Sequence, residues 1–150
     1  MNKLITVLGI FVADISFAAT KIPAEGETII GSTYNIGPGG KGCNQAIAIS
    51  KLGGKVKFIS KIGNDEYGKL ATQTLKKNKI DLKNLVRTNR YPTGVAGIMV
   101  NKKNGRNAIN VITGAPSKFT VGEVKKHIKY IKTSKIFLTQ LEIPKKITLF

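Results

Sequence analysis

The segment Gly37–Asn44, with the sequence GPGGKGCN, has residue types and spacing that suit ligand binding. Glycines let a backbone approach a ligand closely, and the unpaired amides at the start of a helix attract oxygen-rich or anionic groups. The segment is not a phosphate-binding loop of the GxxxxGK[ST] type, because Tyr34 stands where the first glycine would fall. A glycine-rich turn before a helix can equally be structural, so both interpretations stay open at this point.

Other side chains that could bind a ligand or react can also be explained by a purely structural role. Asp14 could cap a turn after an apolar run, Asn44 could cap a helix start, and Glu142 could be a solvated loop acid. Cys43 has no histidine nearby in the sequence, which favours a small buried helix residue over a nucleophile. His127 is the single histidine and lies among lysines, so we expect a surface residue and no metal site.

The charge of the chain is strongly positive. It carries 25 Lys and Arg against 8 Asp and Glu, a formal net charge of +17. Such an excess raises nucleic-acid binding as a hypothesis. The basic residues are scattered, however, and lack the interleaved aromatic residues of a single-strand binding platform. A compositional bias towards Lys, Ile and Asn, with or without a missing acidic partner segment, explains the charge better. We therefore expect no specific nucleic-acid partner.

The amino-terminal stretch 1–19 has some features of a signal peptide. Asp14 interrupts its apolar run, however, and the same run suits a buried strand. No stretch reaches about 18 uninterrupted apolar residues, which argues against a membrane span. The single cysteine excludes an intrachain disulfide and fits a reducing compartment. We expect a cytoplasmic protein that does not associate with a membrane.

Strand and helix patterns alternate along most of the chain. Short apolar runs predict strands, and these cover 4–10, 56–60, 85–87 and 135–140. Packed or capped segments predict helices, namely Lys41–Leu52, a helix capped by Asp65 that runs to about Asn78, and a helix that opens on the capping box Thr120–Glu123 and runs to about Ile131. This alternation predicts an α/β layered domain with a largely parallel sheet.

Two segments do not fit the alternation. Residues 15–36 predict two short strands around a Pro23–Gly26 turn, and residues 93–112 predict a hairpin with a turn-rich centre at Lys102–Gly105. We interpret approximately 15–38 and 93–112 as segments of a small β-lid that stands apart from the main sheet.

The glycine-rich segment also belongs to a longer motif. Gly39–Ala46, followed by Leu52-Gly53, resembles the first motif of the ribokinase-like (PfkB-type) carbohydrate kinases. Further islands match that family in order, namely Gly9 with Ala13-Asp14, Gly26-Glu27-Thr28, Ile62-Gly63 with Asp65 and Gly68, Thr93–Ala96, and Gln140–Glu142. The resemblance covers essentially all 150 residues. It implies a ribokinase-like layered sandwich with a small β-lid, truncated to the amino-terminal part of one kinase domain.

The resemblance also implies a set of substrate-binding residues. Asp14 matches a carboxylate that accepts hydrogen bonds from sugar hydroxyls, and Glu142 matches a second sugar-contacting acid. The full implied set is Asp14, Gly39, Gly40, Lys41, Asn44, Ala96, Ile98 and Glu142. Ala96 and Ile98 would provide apolar contacts from the lid. Carboxylates and amides suit a small sugar or polyol, because hydrogen bonds to charged groups contribute about 1.5–3 kcal/mol each.

The activity implied by the resemblance is phosphoryl transfer from ATP to a sugar hydroxyl. ATP and Mg²⁺ are the implied cofactors, and the family also admits K⁺. The catalytic base of such kinases is an Asp in a DTxGAGD-like motif near the carboxyl end, and no such motif occurs in this chain. We therefore assign no catalytic residue, expect the nucleotide site to lie outside the chain, and expect the chain alone to be inactive.

One departure from the family pattern concerns the sugar. Ribokinases carry Asn two residues before the sugar-binding acid, and Val12 occupies that position here. Loss of one polar partner costs about 1 kcal/mol, or roughly tenfold in affinity, which puts ribose itself in doubt. Two alternatives to a kinase part stay open, namely a non-catalytic module that dimerises through the lid and a basic protein that binds nucleic acid nonspecifically.

Overall fold

The computed structural model describes residues 4–150; the first three residues of the apolar amino-terminal stretch lie outside it. The strands are β1 (Leu4–Leu8), β2 (Val12–Ala19), β3 (Thr33–Gly39), β4 (Lys55–Gly63), β5 (Leu85–Thr88), β6 (Gly94–Asn101), β7 (Asn107–Ile112) and β8 (Ile136–Thr139). The α-helices are α1 (Lys41–Lys51), α2 (Glu66–Lys77), α3 (Val121–Lys125), α4 (Ile128–Thr133) and α5 (Lys145–Thr148). Short 3₁₀ helices cover Leu82–Asn84 and Ala115–Lys118.

A parallel sheet forms the core, as the alternation of strands and helices predicts. Its strand order is β5-β4-β1-β8, and every neighbouring pair is parallel. Successive side chains of β1 point to opposite faces. Val7 therefore packs in a cluster with residues of α1 and α2, while Leu8 packs in a second cluster with residues of α3 and α5. Apolar side chains therefore cover the centre of this sheet on both faces.

A second sheet stands on the carboxyl ends of these strands and contains both predicted lid segments. Its order is β3-β2-β6-β7, with antiparallel outer pairs and a parallel central pair, β2 with β6. We call it the lid sheet. Only residues 9–11 separate β1 from β2, so the chain passes directly from the core sheet into the lid sheet.

The two strands predicted around the Pro23–Gly26 turn are present as β2 and β3, which pair antiparallel on either side of it. The structure corrects their bounds, because residues 20–32 between them lie outside any strand. Strand β3 runs through Gly37 and Pro38, which the sequence pattern indicated as a turn. Proline is tolerated there because β3 is an edge strand of its sheet, where a missing N–H need not break the ladder.

The predicted helix starts are confirmed, but one predicted helix is broken. Asp65 caps α2 by accepting from the N–H of Gly68 at 2.7 Å, and Thr120 forms the predicted capping box with Glu123. The helix predicted to continue to Ile131 instead ends at Lys125 and restarts at Ile128. None of the helices within residues 4–150 is long and apolar enough to span a bilayer.

The break between α3 and α4 also corrects the prediction for the single histidine. His127 is half-buried, and its Nδ1 lies 3.2 Å from Oδ1 of the buried Asn84. Burial, with a smaller effect from Lys126, lowers the pKa of His127 below its ordinary value. The residue therefore joins α4 to the Leu82–Asn84 turn rather than lying free on the surface.

Candidate functional site

The predicted sugar-binding acid Asp14 lies near the start of β2 in the lid sheet. Asp14 is the third residue of β2, and its neighbours in register are Gly37 on β3 and Ala96 on β6. Residues in register share one face of a sheet. Side chains two positions away share it as well, so Ser16 and Ile98 lie on the same face as Asp14. We call this side the inner lid face.

Gly39 allows the Asp14 carboxylate to take its position. A Cβ atom on Gly39 would lie 2.0 Å from Asp14 Oδ1 and 2.3 Å from Oδ2. No side chain larger than hydrogen fits at that distance. The next residue, Gly40, has a φ of 90°, a backbone conformation that glycine adopts without strain. Gly39 thus lets the backbone lie against the Asp14 carboxylate, and Gly40 turns the chain into α1.

The Asp14 carboxylate has no protein partner in the described part of the chain. Neither a hydrogen bond nor an ion pair reaches it from residues 4–150. Its partial burial raises the pKa of the carboxyl above its ordinary value. A half-buried carboxylate without a donor costs free energy unless a ligand supplies one. The geometry contradicts the alternative that Asp14 caps a turn, because the residue is inside a strand.

Glu142, three residues beyond the end of β8, reaches the start of α1. Its Oε2 accepts a hydrogen bond from the backbone N–H of Lys41 at 3.2 Å, and its Oε1 forms an ion pair with the Lys41 ammonium group. A carboxylate at a helix amino terminus is favoured by the helix dipole. Glu142 is therefore a partly buried anchor of α1, not a freely solvated loop acid. Its contact with a sugar stays a prediction.

Asn44 lies in the first turn of α1 with an exposed side chain. Its backbone N–H donates to the carbonyl of Gly40 at 2.9 Å, whereas its amide side chain makes no hydrogen bond to the described residues. The structure contradicts the alternative of an Asn44 cap, because the N-cap of α1 is Gly40 and carries no side-chain bond. The amide is thus available at the helix start.

The apolar members of the predicted set lie on β6. Ala96 is buried in the cluster that also contains Leu8 and Val12, and Ile98 packs against that cluster while half-exposed. Val12, two residues before Asp14, is buried and presents no polar atom. A Cβ atom on Gly94 would lie 2.8 Å from Val12 Cγ1, so the valine fills the space beside the start of β6.

Cys43 follows the prediction of a small buried helix residue. It has no exposed surface, and its backbone N–H donates to the carbonyl of Ile10 at 3.2 Å. Burial, reinforced by the negative charge of Asp14, raises the pKa of the Cys43 thiol to about 12. The thiol therefore stays protonated and is a poor nucleophile.

Gln140 belongs to the same neighbourhood, although sequence reasoning gave it no role. Its Nε2 donates to Gln45 Oε1 at 2.6 Å, and its buried Oε1 has no donor in the described structure. The side chain lies where a Cβ atom on Gly9 would come within 2.2 Å of Oε1. The sequence signal for this residue was that it belongs, together with Glu142, to a segment that matches the family. Gln140 joins the end of β8 to α1.

The predicted residues therefore form one continuous neighbourhood around the start of α1. Asp14 contacts Gly39, Gly40 leads into the helix, and Glu142 closes the helix start through Lys41. Among residues 4–150, no group of three or more His, Cys, Asp and Glu could hold a metal ion. The neighbourhood contains hydrogen-bonding groups that lack a partner in the described structure, namely the Asp14 carboxylate and the Asn44 amide.

Comparison with known proteins places this arrangement in a family. A family model described as pfkB family carbohydrate kinase matches residues 2–146. The chain belongs to the pfkB family of carbohydrate kinases. The predicted resemblance is thereby confirmed.

Individual pfkB-family relatives are longer than this chain. The ribokinase of Mus musculus is 35% identical over 139 residues, which cover 93% of this chain and 43% of that protein. The ribokinase of Haemophilus influenzae is 38% identical over 144 residues, which cover 96% of this chain and 47% of that protein. The chain therefore spans less than half the length of these two relatives.

A solved pfkB-family structure confirms the predicted fold. Arabidopsis thaliana ribokinase complexed with ribose and ATP aligns with a TM-score of 0.87 and 32% sequence identity, over 99% of this chain and 48% of that one. The predicted ribokinase-like α/β fold with a largely parallel sheet is thus correct for the described residues.

Proposed function

We propose that this chain is the sugar-binding part of an ATP-dependent carbohydrate kinase that transfers a phosphoryl group to a sugar hydroxyl. The observation that carries the proposal is the half-buried Asp14 carboxylate, which lacks any protein donor in the described structure. Sugar hydroxyls are donors of the required kind, and hydrogen bonds to a charged acceptor contribute about 1.5–3 kcal/mol each. The ribokinases among the relatives support the same class of substrate.

The other residues of the neighbourhood have supporting roles in this proposal. Asn44 offers an amide donor and acceptor at the start of α1, and Gly39 and Gly40 let the backbone approach the sugar. Glu142 holds the helix start and adds a second acceptor. Ala96 and Ile98 on β6 form the apolar side of the site. Residues 15–38 and 93–112 act as the lid that covers the bound sugar and excludes water.

The phosphoryl-transfer groups lie outside this set of residues. Transfer needs a nucleotide site, a metal ion and a base for the attacking hydroxyl. The described residues hold no cluster of metal-ligating side chains, so we assign no contact with ATP, Mg²⁺ or K⁺ to them. ATP supplies the phosphoryl group when it is bound. We expect polypeptide outside this chain to form the ATP site.

The position of Val12 selects among sugars. Its buried, apolar side chain lies two residues before Asp14 on the same face of β2 and cannot bond a hydroxyl. A sugar hydroxyl placed there loses one partner, at a cost of about 1 kcal/mol. The preferred substrate is therefore a small polyol that lacks a hydroxyl at that point or carries another substituent there.

A calorimetric titration of the purified chain with ribose, 2-deoxyribose, fructose and adenosine tests the proposal. At least one compound is expected to bind, and Asp14→Ala is expected to reduce its affinity by tenfold or more. Glu66→Gln is the matched control, because Glu66 is an exposed acid on α2, outside both lid segments. Equal binding by the two variants, or no binding to the parent chain by any of the four compounds, would refute the assignment.

A second candidate function, dimerisation through the lid, has its own supporting observation. The side of the lid sheet opposite Asp14 exposes large apolar side chains, namely Phe17, Tyr34, Ile36, Met99 and Ile112. Alternation along β2, β3, β6 and β7 puts them all on that side. Light scattering is expected to detect a dimer of the parent chain that Ile36→Lys dissociates. Leu52→Lys, on a distant exposed turn, should leave the dimer unchanged; a parent chain that is monomeric at every concentration would remove this candidate.

A further inference from the structure

Four lysines that are scattered along the sequence lie together where α1 and α2 end and β4 begins. Lys51 ends α1, Lys77 ends α2, and Lys55 begins β4. Two adjoining cavities, of about 420 Å³ and 440 Å³, share Ser50 and Lys79 in their linings. Lys51 and Lys77 line the first cavity, and Lys55 lines the second. We call Lys51, Lys55, Lys77 and Lys79 the basic patch.

The charge of the basic patch is not compensated by nearby acids. Asp81 is the only acid among the described residues that line the two cavities, and its carboxylate already pairs with Lys57 at 2.7 Å. None of the four patch lysines forms an ion pair or a side-chain hydrogen bond within residues 4–150. All four are exposed. The patch therefore presents four unpaired ammonium groups to the solvent, and like charges held close together attract an anionic partner.

Local preference explains only half of the basic patch. A lysine in the last turn of a helix is favoured by the helix dipole, which accounts for Lys51 and Lys77. Lys79 lies beyond α2 with a φ of 55°, a conformation that glycine adopts most readily. Lys55 is in a strand, where no dipole favours a cation. The local structure therefore gives no reason for a lysine at either of these two positions.

The other polar groups of the patch indicate what kind of anion it suits. The backbone N–H groups of Gly53, Gly54 and Lys79 already donate to carbonyls of the chain, and the Ser50 hydroxyl donates to the carbonyl of Asn78 at 2.6 Å. No fixed donor is left to orient a small anion, so the flexible ammonium groups must bind by charge alone. No aromatic side chain of the described residues lines either cavity, so bases cannot stack there as they do on single-strand platforms. A duplex, with about one negative charge per 1.7 Å of its axis, fits these properties best.

We propose that the basic patch binds the phosphate backbone of double-stranded nucleic acid without regard to base sequence. Contacts to phosphates fix position but carry no sequence information, so this binding is compatible with the expectation of no specific nucleic-acid partner. The inference goes beyond the proposed function and does not rest on it. Helix α1 begins beside the candidate sugar site and ends at the patch, and its 11 residues span about 16 Å at 1.5 Å per residue. A duplex on the patch and a sugar beside Asp14 therefore bind at separate places.

Fluorescence anisotropy of a short, labelled DNA duplex of mixed sequence, titrated with the purified chain, tests the proposal. The double variant with Lys51→Gln and Lys79→Gln is expected to bind the duplex tenfold or more weakly than the parent chain. The slope of log affinity against log salt concentration should become shallower by about 1.8, because each lost phosphate contact contributes about 0.9. Replacement of the other two patch lysines by glutamine is expected to have the same effect.

A double variant with Lys145→Gln and Lys146→Gln is the matched control. Both lysines are exposed at the start of α5, outside the lining of the two cavities. Each double variant lowers the net charge of +17 by two, so the overall attraction to DNA changes equally in all of them. The control variant is therefore expected to bind the duplex nearly as tightly as the parent chain.

Three results would overturn the proposal. The first is an equal loss of affinity in the patch variants and the control variant, which would mean that the charge of the whole chain, and not the patch, attracts the duplex. The second is a strong preference for one of two duplexes of unrelated sequence. The third is binding of phosphatidylserine vesicles through the patch lysines with no binding of the duplex, which would assign the patch to a membrane surface.

Discussion

At the scale of single residues, the site depends on the contact between Asp14 and Gly39. The resemblance to carbohydrate kinases made both residues predictable, because they belong to short motifs that can be recognised locally. The pairing of Glu142 with Lys41 was not predictable, since the two residues are 101 positions apart. The part played by Gln140 was missed for the same reason. Local sequence specifies which groups are present, whereas their partners depend on the assembled sheets.

Gly39→Ala tests the close approach of backbone and acid. The added methyl group would overlap the Asp14 carboxylate, so the acid must rotate away from its present position. Sugar affinity is expected to fall by tenfold or more, as measured by calorimetry. Gly97→Ala is the matched control, because a Cβ atom on Gly97 of the same sheet meets nothing within 4 Å. Similar losses of affinity in the two variants would contradict the proposed contact.

The pH dependence of stability tests the environment of Asp14. Because burial raises its pKa in the folded state above the ordinary value of 3.8, the folded chain binds the proton more tightly than the unfolded chain does. The carboxyl therefore favours folding at low pH, and this contribution is lost as the pH rises through the folded-state pKa. Asp14→Asn is expected to raise the free energy of unfolding at pH 7.

Urea titrations of the parent chain and Asp14→Asn at pH 7 and below pH 3.8 measure this effect. The difference in free energy of unfolding should shrink at the lower pH, where the parent carboxyl is protonated in both states. Glu25→Gln, at the exposed loop position, should show no such pattern. An Asp14→Asn variant that is less stable than the parent chain at pH 7 would mean that the carboxylate has a stabilising partner.

At the scale of elements, the local patterns predicted most strands and helices but not how they join. Periodicity and capping residues located α1, α2 and the start of α3. The two lid segments were predicted as separate hairpins, and nothing local indicated the parallel pairing of β2 with β6. That pairing joins strands about 80 positions apart, from Val12 with Gly94 to Ala19 with Asn101. The course of β3 through Pro38 likewise depends on its place at a sheet edge.

Asp65→Ala tests how the lid sheet is fixed to α2. The Asp65 carboxylate accepts from the N–H of Gly68 and from the N–H and hydroxyl of Thr93, each at 2.7 Å. It thus caps the helix and anchors the residue before β6. Loss of these bonds is expected to reduce the free energy of unfolding by about 1–3 kcal/mol at pH 7. Urea unfolding measures the loss.

The same variant has a predictable pH dependence. Burial alone would raise the pKa of Asp65, but hydrogen bonds from Thr93 and Gly68 lower it overall. The stabilisation is present above the ordinary value of 3.8 and is lost as the pH falls through the lower folded-state pKa. Glu66→Ala is the control, because that exposed acid pairs only with Lys69 in the described structure. A pH-independent difference for Asp65→Ala would show that its charge is not involved.

At the scale of the whole molecule, the site lies where the core sheet and the lid sheet meet. The alternation of strands and helices predicted the layered α/β class, because each element carries its own periodic pattern. The exposure of Ile136 and Phe137 in β8 could not be predicted, since β5 and β8 are both short apolar runs in the sequence. Their difference arises from what packs around them, which only the folded chain reveals.

At this scale we predict that the chain alone does not catalyse phosphoryl transfer. Incubation of the purified chain with ATP, Mg²⁺ and the sugar panel should give no sugar-dependent ADP release. The reason is that a missing general base by itself costs about 10²–10⁴ in rate, and the described residues also lack a metal-binding cluster. The Haemophilus influenzae ribokinase, assayed in parallel, is the positive control. Sugar-dependent ADP release that Asp14→Ala abolishes would show that the chain is self-sufficient.

The fall in burial from Val12 to Phe17 in β2 leads to a kinetic prediction. Phe11, Val12 and Ala13 are buried, Asp14 follows them directly, and Phe17 is already exposed. The Asp14 carboxylate therefore adjoins the buried start of the strand, and we expect bending of the sheet to be greatest at exposed positions such as Phe17. Fluctuations of the outer part of the lid sheet would open and close the entrance to the proposed sugar site without displacing the Asp14 carboxylate. Substitutions near Phe17 should therefore alter the association and dissociation rates of a sugar, while its dissociation constant stays nearly unchanged.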